Sequence, residues 1–258
     1  MDTILEDDVR NSIGIIPARL DSTRLPRKLL LDLAGKPLLQ WTLEGASKSR
    51  YLSKLLVATD SQEIAEFCTS IGFDYILTPK EFSSGTERVL WTYETLGKEY
   101  RFVVNIQGDE PFIDGKTIDN LLLKAFQNNA DISTLVAPII ENKEIFEPST
   151  VKVVLDLNNF AIYFSRSPIP FVRDVSSEEW SKHTTFFKHI GIYCFSNGVV
   201  ERIKKMRTGK LELVEKLEQL RWMENGEKIY CVTTEKFLVG IDTEQDLELA
   251  KNVIKGLI

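Results

Sequence analysis

The chain has 258 residues and is acidic, with 32 Lys and Arg against 38 Asp and Glu and a formal net charge of -6. Its composition, 43% hydrophobic and 27% charged, is typical of a globular protein with a full core and excludes a fibrous or wholly transmembrane protein. The net negative charge disfavours binding to nucleic acid or to an anionic membrane surface. No stretch approaches the roughly 18 apolar residues that predict membrane insertion.

Short apolar runs alternate with amphipathic stretches, which predicts an α/β fold with a mainly parallel, mixed sheet flanked by helices. Residues 1–12 are expected to form a flexible acidic tail, and residues 13–258 a single domain in which about 157–230 could form a small subdomain. Strands are predicted at 13–16, 55–59, 102–106, 132–136, 151–155, 189–195 and 237–241. Helices are predicted at 37–47, 61–71, 86–96, 117–127, 211–225 and 243–254.

Carboxylates follow three of the predicted strands, at the edge where α/β sheets bind their ligands. The runs 55–59, 102–106 and 237–241 are followed by Asp60, Asp109 and Asp242. Asp60 precedes Ser61 and a helix, which favours a role as helix N-cap. Asp109 lies between Gly108 and Pro111, which indicates a turn rather than a helix start.

A loop rich in positive charge follows the first predicted strand. Four cations and one carboxylate between residues 19 and 28 give a local balance of 4 − 1 = +3: Arg19, Asp21, Arg24, Arg27 and Lys28. Charge runs are usually solvated helix faces, but Pro26 disfavours a helix here. The loop therefore predicts a site for a polyphosphate, whose charge Arg and Lys side chains can neutralise.

Several common sites are excluded. No Gly-x-Gly occurs, and Glu110 replaces the first Gly of a Walker A loop that would end in Gly115-Lys116-Thr117, so neither NAD nor P-loop chemistry is supported. Because neither Gly-x-Ser-x-Gly nor His-Glu-x-x-His occurs, serine and zinc hydrolases are disfavoured, and any metal is expected to have oxygen ligands. Three separated cysteines favour a reducing, cytoplasmic compartment.

Three later features have an ordinary structural interpretation beside a functional one. The loop 83–88 could bind a ligand through hydroxyl and N–H groups, or could simply cap a helix through Ser84 or Thr86. His189 lies in an apolar strand, where a structural histidine is the more common case. Within 211–225 an apolar helix face is expected opposite a solvated one: Leu213, Val214, Leu217 and Leu220 against Glu212, Glu215 and Gln219.

Taken together, a set of motifs resembles the 3-deoxy-manno-octulosonate (Kdo) cytidylyltransferases, which are sugar nucleotidyltransferases. The resemblance covers nearly the whole chain, from 13 to 249. The motifs are IPAR and STRLP (16–26), VATD (57–60), SGTER (84–88), NIQGDEP (105–111), YFSR (163–166), HIGIY (189–193), LEQLR (217–221) and DT with DL (242–247). The resemblance implies a Rossmann-like, GT-A-type fold, with sugar binding or dimerisation assigned to about 157–230.

The same resemblance implies transfer of CMP from CTP to Kdo, with release of pyrophosphate, by a homodimer that serves lipopolysaccharide synthesis. The implied catalytic residues are Arg19, Lys28, Asp109 and Asp242, of which Asp109 and Asp242 would hold Mg²⁺. The implied nucleotide-binding residues are Pro17, Ala18, Arg19, Lys28, Ala58, Thr59, Ser84, Gly85, Thr86, Gln107 and Asp109. The implied sugar-binding residues are Gln107, Arg166, His189, Tyr193, Glu218 and Gln219, with Arg166 or His189 meeting the sugar's carboxylate.

Departures from the family pattern leave the substrate open. The frequent Pro-Gly-Lys is Pro26-Arg27-Lys28, which affects how the first loop closes, and Glu244 replaces a common Pro. The run 215–219 also resembles relatives that act on the 8-amino analogue of Kdo, so the C8 substituent stays open. The residues are also compatible with a cytidylyltransferase for another sugar acid or a polyol phosphate, and with a catalytically silent nucleotide-binding regulator. A regulator is expected to lack a metal carboxylate, whereas both Asp109 and Asp242 are present.

Overall fold

The structure, a computed structural model, describes residues 9–21, 25–97, 100–236 and 238–257. It divides into two compact units, one of Met1–Leu122 with Phe237–Ile258 and the other of Leu123–Lys236. The segment 157–230 lies within the sequence of the second unit, and the single-domain organisation stays a prediction. Residues 1–8 of the expected tail lie outside the described part, whereas Val9 is buried and Ser12 begins the first strand.

The strands confirm the predicted ones except at 237–241, where the described residues 238–241 form no strand. The strands at 32–33, 36–37, 74–77, 161–165 and 229–233 were missed because each is brief and shows no strict alternation. The strands are β1 (Ser12–Ala18), β2 (Asp32–Leu33), β3 (Lys36–Pro37), β4 (Leu52–Thr59), β5 (Asp74–Leu77), β6 (Phe102–Asn105), β7 (Ile132–Pro138), β8 (Lys152–Leu155), β9 (Ala161–Ser165), β10 (Phe187–Ser196) and β11 (Ile229–Thr233).

The predicted helices are found with one correction, and the helices at 142–145, 180–183 and 197–205 were not predicted. The helices are α1 (Leu38–Ala46), α2 (Gln62–Ser70), α3 (Gly85–Thr95), α4 (Gly115–Gln127), α5 (Asn142–Ile145), α6 (Trp180–His183), α7 (Asn197–Lys205), α8 (Lys210–Glu215), α9 (Glu218–Glu224) and α10 (Glu244–Leu257). The single helix expected at 211–225 is wrong, because Lys216 adopts a left-handed φ of 54° that ends α8. No helix in the described part of the chain is both long and apolar enough to cross a membrane.

In the first unit, four parallel strands lie in the order β6, β1, β4, β5. β6 is buried throughout and β1 nearly so, as expected for a parallel sheet covered on both faces. Because the strands are parallel, the loops that follow β1, β4 and β6 emerge at the same edge of the sheet. This edge is where the charged residues identified in the sequence meet.

In the second unit, β7 pairs with β11 in parallel and with β10 antiparallel, and β8 pairs antiparallel with β10 and β9. The mixed, mainly parallel sheets flanked by helices confirm the predicted α/β class. A bulge interrupts β10: Ile190 pairs with Leu135, but Tyr193 pairs with the adjacent Thr134, so two extra residues lie between them. Segment 168–183, the least periodic in the sequence, packs Trp180 into a small apolar cluster with Ile139, Ile145 and Phe186.

Candidate active site

A polar cavity of about 260 Å³ lies in the first unit, at the edge where β1 and β6 end. It gathers most of the catalytic and nucleotide-binding residues predicted for this unit. Those on its wall are Pro17, Ala18, Arg19, Lys28, Ser84, Gly85, Gln107, Asp109 and Asp242. The convergence follows from the parallel sheet, because residues distant in sequence share one edge.

The ammonium group of Lys28 lies between two carboxylates of this cavity. Its Nζ is 2.5 Å from Asp109 Oδ2 and 2.8 Å from Asp242 Oδ1, and its side chain is only 11% exposed. Burial alone would lower the pKa of Lys28, but the two carboxylates outweigh burial and raise it. Lys28 therefore stays protonated throughout the neutral pH range.

A backbone contact, rather than the predicted strand, brings Asp242 to Asp109. The amide N–H of Ile241 donates to the Asp109 carbonyl oxygen at 3.0 Å. The residues after Asp242 cap the start of α10. The Asp246 carboxylate accepts from the Thr243 amide N–H at 2.8 Å, and the Asp246 amide N–H donates to Thr243 Oγ1 at 3.2 Å. Capping is thus performed by Thr243 and Asp246, while the side chain of Asp242 pairs with Lys28.

The donor set of Asp109 and Asp242 fits a divalent cation. Their oxygens already converge on one positively charged atom, so Lys28 Nζ stands in for a cation there. Carboxylate oxygens suit Mg²⁺, which commonly takes one or two carboxylates and completes its shell with water and substrate phosphates. The described residues contain no cluster of three or more His, Cys, Asp or Glu that could hold a metal.

The cations of the first loop have different partners. Arg19 lines the cavity, is exposed, and makes no ion pair with the described residues. Arg27 instead pairs with Glu63 of α2, and the predicted Arg24, with Ser22 and Thr23, lies outside the described residues. Arg27 has a left-handed φ of 58°, which gives a physical reason for the glycine that is frequent at this place in the motif.

The second loop both caps a helix and borders the cavity. Ser84 Oγ accepts from the Glu87 amide N–H at 3.2 Å, while the Ser83 amide N–H donates to the Glu87 carboxylate at 2.9 Å. The expectation that Ser84 caps α3 is therefore confirmed. A Cβ atom on Gly85 would lie 3.2 Å from Pro17 Cγ, so glycine allows the second loop to approach the first.

Three residues expected to bind the nucleotide are buried and do not line the cavity: Ala58, Thr59 and Thr86. Thr86 is linked to the cavity through two hydrogen bonds. Its Oγ1 accepts from Asn105 Nδ2 at 3.2 Å, and Asn105 Oδ1 accepts from Gln107 Nε2 at 3.2 Å. This hydrogen-bonded series orients Gln107 on the cavity wall. Asn105, a polar residue inside a buried strand, was the available sequence signal for it.

The cavity wall also includes residues that the sequence did not assign to it, notably Phe82 and Arg88. Arg88 is 4% exposed, and its Nη2 donates to Asp60 Oδ2 at 3.0 Å. The expected capping role of Asp60 is therefore wrong, since Ser61 caps α2 through its Oγ. The Arg88 guanidinium lies 5.5 Å from the centre of the Phe82 ring, which fixes the ring beside the cavity.

In the second unit, residues predicted to bind the sugar gather around β10 and α9. The rings of His189 and Tyr193 lie 5.3 Å apart, and Tyr193 lies 4.8 Å from Trp222 of α9. Burial lowers the pKa of His189 to about 3, so the imidazole is neutral at pH 7. Burial, helped by the charge of Glu218, raises the pKa of Tyr193 well above its usual value.

Gln219 is the clearest departure from the predicted helix faces. It was expected on a solvated face, yet it is 3% exposed, and its Nε2 has no hydrogen-bond partner among the described residues. Conversely, Val214 of the expected apolar stripe is 82% exposed. The break at Lys216 rotates α9 relative to α8, so one stripe does not continue through both helices. A buried, unpaired amide costs about 1–3 kcal/mol, which a polar ligand could recover.

Arg166 is held by backbone oxygens rather than by an ion pair. Its Nε donates to the Glu215 carbonyl at 2.8 Å, and its Nη1 donates to the Pro148 carbonyl at 3.0 Å. The carbonyl of Arg166 in turn accepts from the buried ammonium of Lys152 at 2.7 Å, which also binds the carbonyls of Glu147 and Thr150. Arg166 makes no ion pair with a described carboxylate; the Glu215 carboxylate accepts from its backbone N–H at 3.0 Å instead.

Comparison with known proteins settles the family. Residues 13–229 match the family described as Cytidylyltransferase. The chain belongs to this family. The 3-deoxy-manno-octulosonate cytidylyltransferase of Parabacteroides distasonis is 43% identical over 242 residues, which cover 92% of this chain and 96% of that protein. The protein of the same name from Francisella tularensis subsp. holarctica is 42% identical, with 93% and 96% covered.

Solved structures agree with the sequence relatives. A structure described as CMP:2-keto-3-deoxy-manno-octonic acid synthetase complexed with CTP has a TM-score of 0.88 and 33% identity, covering 96% of this chain and 99% of that chain. A cytidylyltransferase from Leptospira borgpetersenii has a TM-score of 0.63 at 18% identity and shares the fold alone. The chain is therefore an enzyme of the nucleotidyltransferase class, with the fold expected for it.

Proposed function

We propose that the chain transfers CMP from CTP to Kdo and releases pyrophosphate, supplying activated Kdo for lipopolysaccharide synthesis. The observation that carries the proposal is the pairing of Lys28 with both Asp109 and Asp242 in a cavity that also presents Arg19. This combination suits a triphosphate and a metal ion, and it occurs in a chain that belongs to the cytidylyltransferases.

The charged residues of the first unit would bind and orient CTP. Arg19, which has no ion pair among the described residues, would donate to the outer phosphates. Asp109 and Asp242 would hold Mg²⁺, which when bound neutralises phosphate charge that develops as pyrophosphate leaves. Lys28, protonated at neutral pH, would then donate to phosphate oxygens. The loop with Ser84 and Gly85 would border the cytosine, and Gln107 would contact either substrate.

The residues of the second unit would bind Kdo. Arg166 is the better partner for the sugar's carboxylate, because His189 is neutral at pH 7, whereas a guanidinium presents a fork of N–H donors that matches a carboxylate. His189, Tyr193, Glu218 and Gln219 would bind the hydroxyl groups, and the unpaired Nε2 of Gln219 supplies one donor for them. The anomeric hydroxyl oxygen of the bound sugar would attack the α-phosphorus as the bond to the β-phosphate breaks.

A pyrophosphate-release assay tests the proposal. The purified chain is given CTP and Mg²⁺ with Kdo, with the 8-amino analogue of Kdo, or with another sugar acid, and ATP, GTP and UTP replace CTP as controls. We expect turnover with CTP and Kdo. Preference for the 8-amino analogue or another acid would replace the sugar assignment, and the absence of turnover with every acceptor would favour a silent regulator.

We also propose a homodimer in the cytoplasm. Exposed apolar side chains support self-association: Ile140 is 81% exposed, and Phe171, which contacts Trp180, is 75% exposed. Light scattering on a gel-filtration column should give twice the chain mass, and Phe171→Asp should lower it. The three cysteines are buried free thiols, which supports a reducing compartment that cell fractionation can check.

A further inference from the structure

The bulge in β10 leaves two backbone carbonyls that a side chain satisfies. Ile190 and Tyr193 pair with adjacent residues of β7, so Gly191 and Ile192 fall outside the regular register. The hydroxyl of Thr134, which is fully buried, lies 3.1 Å from the Ile190 carbonyl oxygen and 2.8 Å from the Ile192 carbonyl oxygen. Both carbonyls are acceptors and the hydroxyl has one proton, so the proton is shared between them or directed at the Ile192 carbonyl, the nearer of the two.

The same bulge brings two side chains together. In a regular strand, the Cα atoms of residues four apart are separated by roughly 13 Å. The ring centres of His189 and Tyr193, on either side of the bulge, lie only 5.3 Å apart. Bulges often redirect side chains next to functional sites. Thr134, by pairing with both bulge carbonyls, holds the backbone conformation on which this approach depends.

The hydroxyl oxygen of Thr134 is also 2.9 Å from Nε2 of His189. Since the hydroxyl proton is used by the carbonyls, the oxygen can only accept from Nε2, which must therefore carry a hydrogen. In the opposite tautomer, the Thr134 hydroxyl would donate its proton to Nε2. Its oxygen would then lie 2.8 Å from the Ile192 carbonyl oxygen with no proton between the two. His189 has a strongly lowered pKa, so a second proton on the ring is disfavoured at neutral pH.

We propose that Thr134 is a positioning residue that fixes His189 as the Nε2–H tautomer and leaves the Nδ1 lone pair to accept a hydrogen bond from a sugar hydroxyl. Nδ1 makes no hydrogen bond within the described residues. Although protein atoms surround the imidazole closely enough to lower its pKa, His189 keeps part of its surface exposed. His189 thus supplies an acceptor, while the unpaired Nε2 of Gln219 supplies a donor. The identity of the ligand as a sugar rests on the proposed function, whereas the tautomer does not.

The tautomer can be measured without activity. The chain has two histidines, so ring ¹⁵N labelling and a long-range ¹H–¹⁵N correlation at pH 7.5 resolve His189, with the exposed His183 as internal reference. We expect a protonated Nε2 and a bare Nδ1 in the wild-type protein, and a shift confined to Nδ1 when Kdo is added with CMP. A protonated Nδ1 in the ligand-free protein would overturn the proposal.

Matched variants test the role of Thr134. Thr134→Val keeps the shape and removes the hydroxyl, so we expect the tautomer preference to weaken and the KM for Kdo to rise about three- to tenfold, with the KM for CTP unchanged. Thr134→Ser should restore both. An unchanged tautomer and unchanged Kdo kinetics in Thr134→Val would refute the assignment. If Thr134→Val does not fold, the tautomer of His189 is still determined by the wild-type spectrum and by the spectrum of Thr134→Ser.

Failure of the proposed function would be seen separately. If Kdo is not a substrate, no pyrophosphate is released, yet the ligand-free spectrum still confirms or rejects the Nε2–H tautomer. If Kdo is a substrate and leaves the Nδ1 resonance unmoved, the hydrogen bond to the sugar is rejected while the proposed function stands. The acid found in the pyrophosphate assay replaces Kdo in the titration if another acid is preferred.

Discussion

The two candidate regions are built from different interactions. In the first unit, ion pairs dominate: Lys28 pairs with Asp109 and Asp242, and Arg88 pairs with Asp60. In the second unit, the residues proposed to bind the sugar are mixed: the aromatic rings, the uncharged His189 and the amide of Gln219 are neutral, whereas Arg166 and Glu218 are charged. The first region suits a ligand whose charge must be neutralised, and the second suits a ligand recognised by directed hydrogen bonds.

This difference determines how substitutions should act. Loss of a charge in the first unit should change metal dependence and nucleotide affinity. Loss of a neutral donor in the second should change sugar kinetics alone. Substitutions in each region test this separation, and the largest effect is expected for the two carboxylates beside Lys28.

Asp109→Asn and Asp242→Asn should each lower turnover by about 100-fold or more, because each removes a charged oxygen ligand that suits Mg²⁺. Initial rates over a range of Mg²⁺ concentrations measure the effect. Asp246→Asn is a graded control: it keeps both proposed ligands but weakens the cap of α10 and the 3.1 Å hydrogen bond from the Asp242 amide N–H. It should cost about 1 kcal/mol in stability and lower the rate far less than either site variant. Wild-type rates in either site variant would remove the metal assignment.

Arg19→Ala should weaken CTP roughly 10- to 150-fold, the value of a charge-assisted hydrogen bond, and weaken CMP much less. Calorimetric titration with the two nucleotides separates contacts to the outer phosphates from contacts to the base. Arg27→Ala is the control, since Arg27 already pairs with Glu63. Equal losses for CTP and CMP would place Arg19 elsewhere.

Gln219→Leu should lower kcat/KM for Kdo about 5- to 150-fold while leaving the KM for CTP unchanged. The same variant should unfold at an equal or higher temperature, because it replaces an unpaired buried amide with an apolar group of similar size. Steady-state kinetics and thermal melts test both halves. Gln62→Ala, on the exposed surface of α2, should change neither the Kdo kinetics nor the melting temperature. A large loss of stability in Gln219→Leu would indicate a structural role for Gln219 instead.

His189→Gln should make folding less sensitive to acid. The pKa of His189 falls to about 3 in the folded protein from a usual value of 6.5, so the unfolded chain binds more protons between these values. The stability that depends on neutral His189 is therefore complete above pH 6.5 and is lost as pH falls toward 3. Urea unfolding at pH 7, 6 and 5 should show a shallower decline in the variant than in His183→Gln, which alters an exposed histidine.

Local sequence patterns predicted much of the fold and part of the site. Apolar runs located the main strands, and the carboxylates after them correctly included Asp109 and Asp242, because parallel strands present their ends at one edge. The pairing of Arg88 with Asp60 could not be predicted, since the two residues lie 28 positions apart and leave no periodic signal. The burial of Gln219 was missed because helical periodicity assumes an unbroken helix, whereas Lys216 turns left-handed.

The buried ammonium of Lys152 joins the segment just before it to Arg166, fourteen residues further along the chain. Its three protons are directed at the carbonyls of Glu147, Thr150 and Arg166, all within 2.8 Å. One segment cannot separate from the others without leaving a charged donor unpaired, so they should open together as one cooperative unit. In native-state hydrogen exchange, the amides of Thr150 and Arg166 should therefore share a single opening free energy. In Lys152→Met their exchange should become independent.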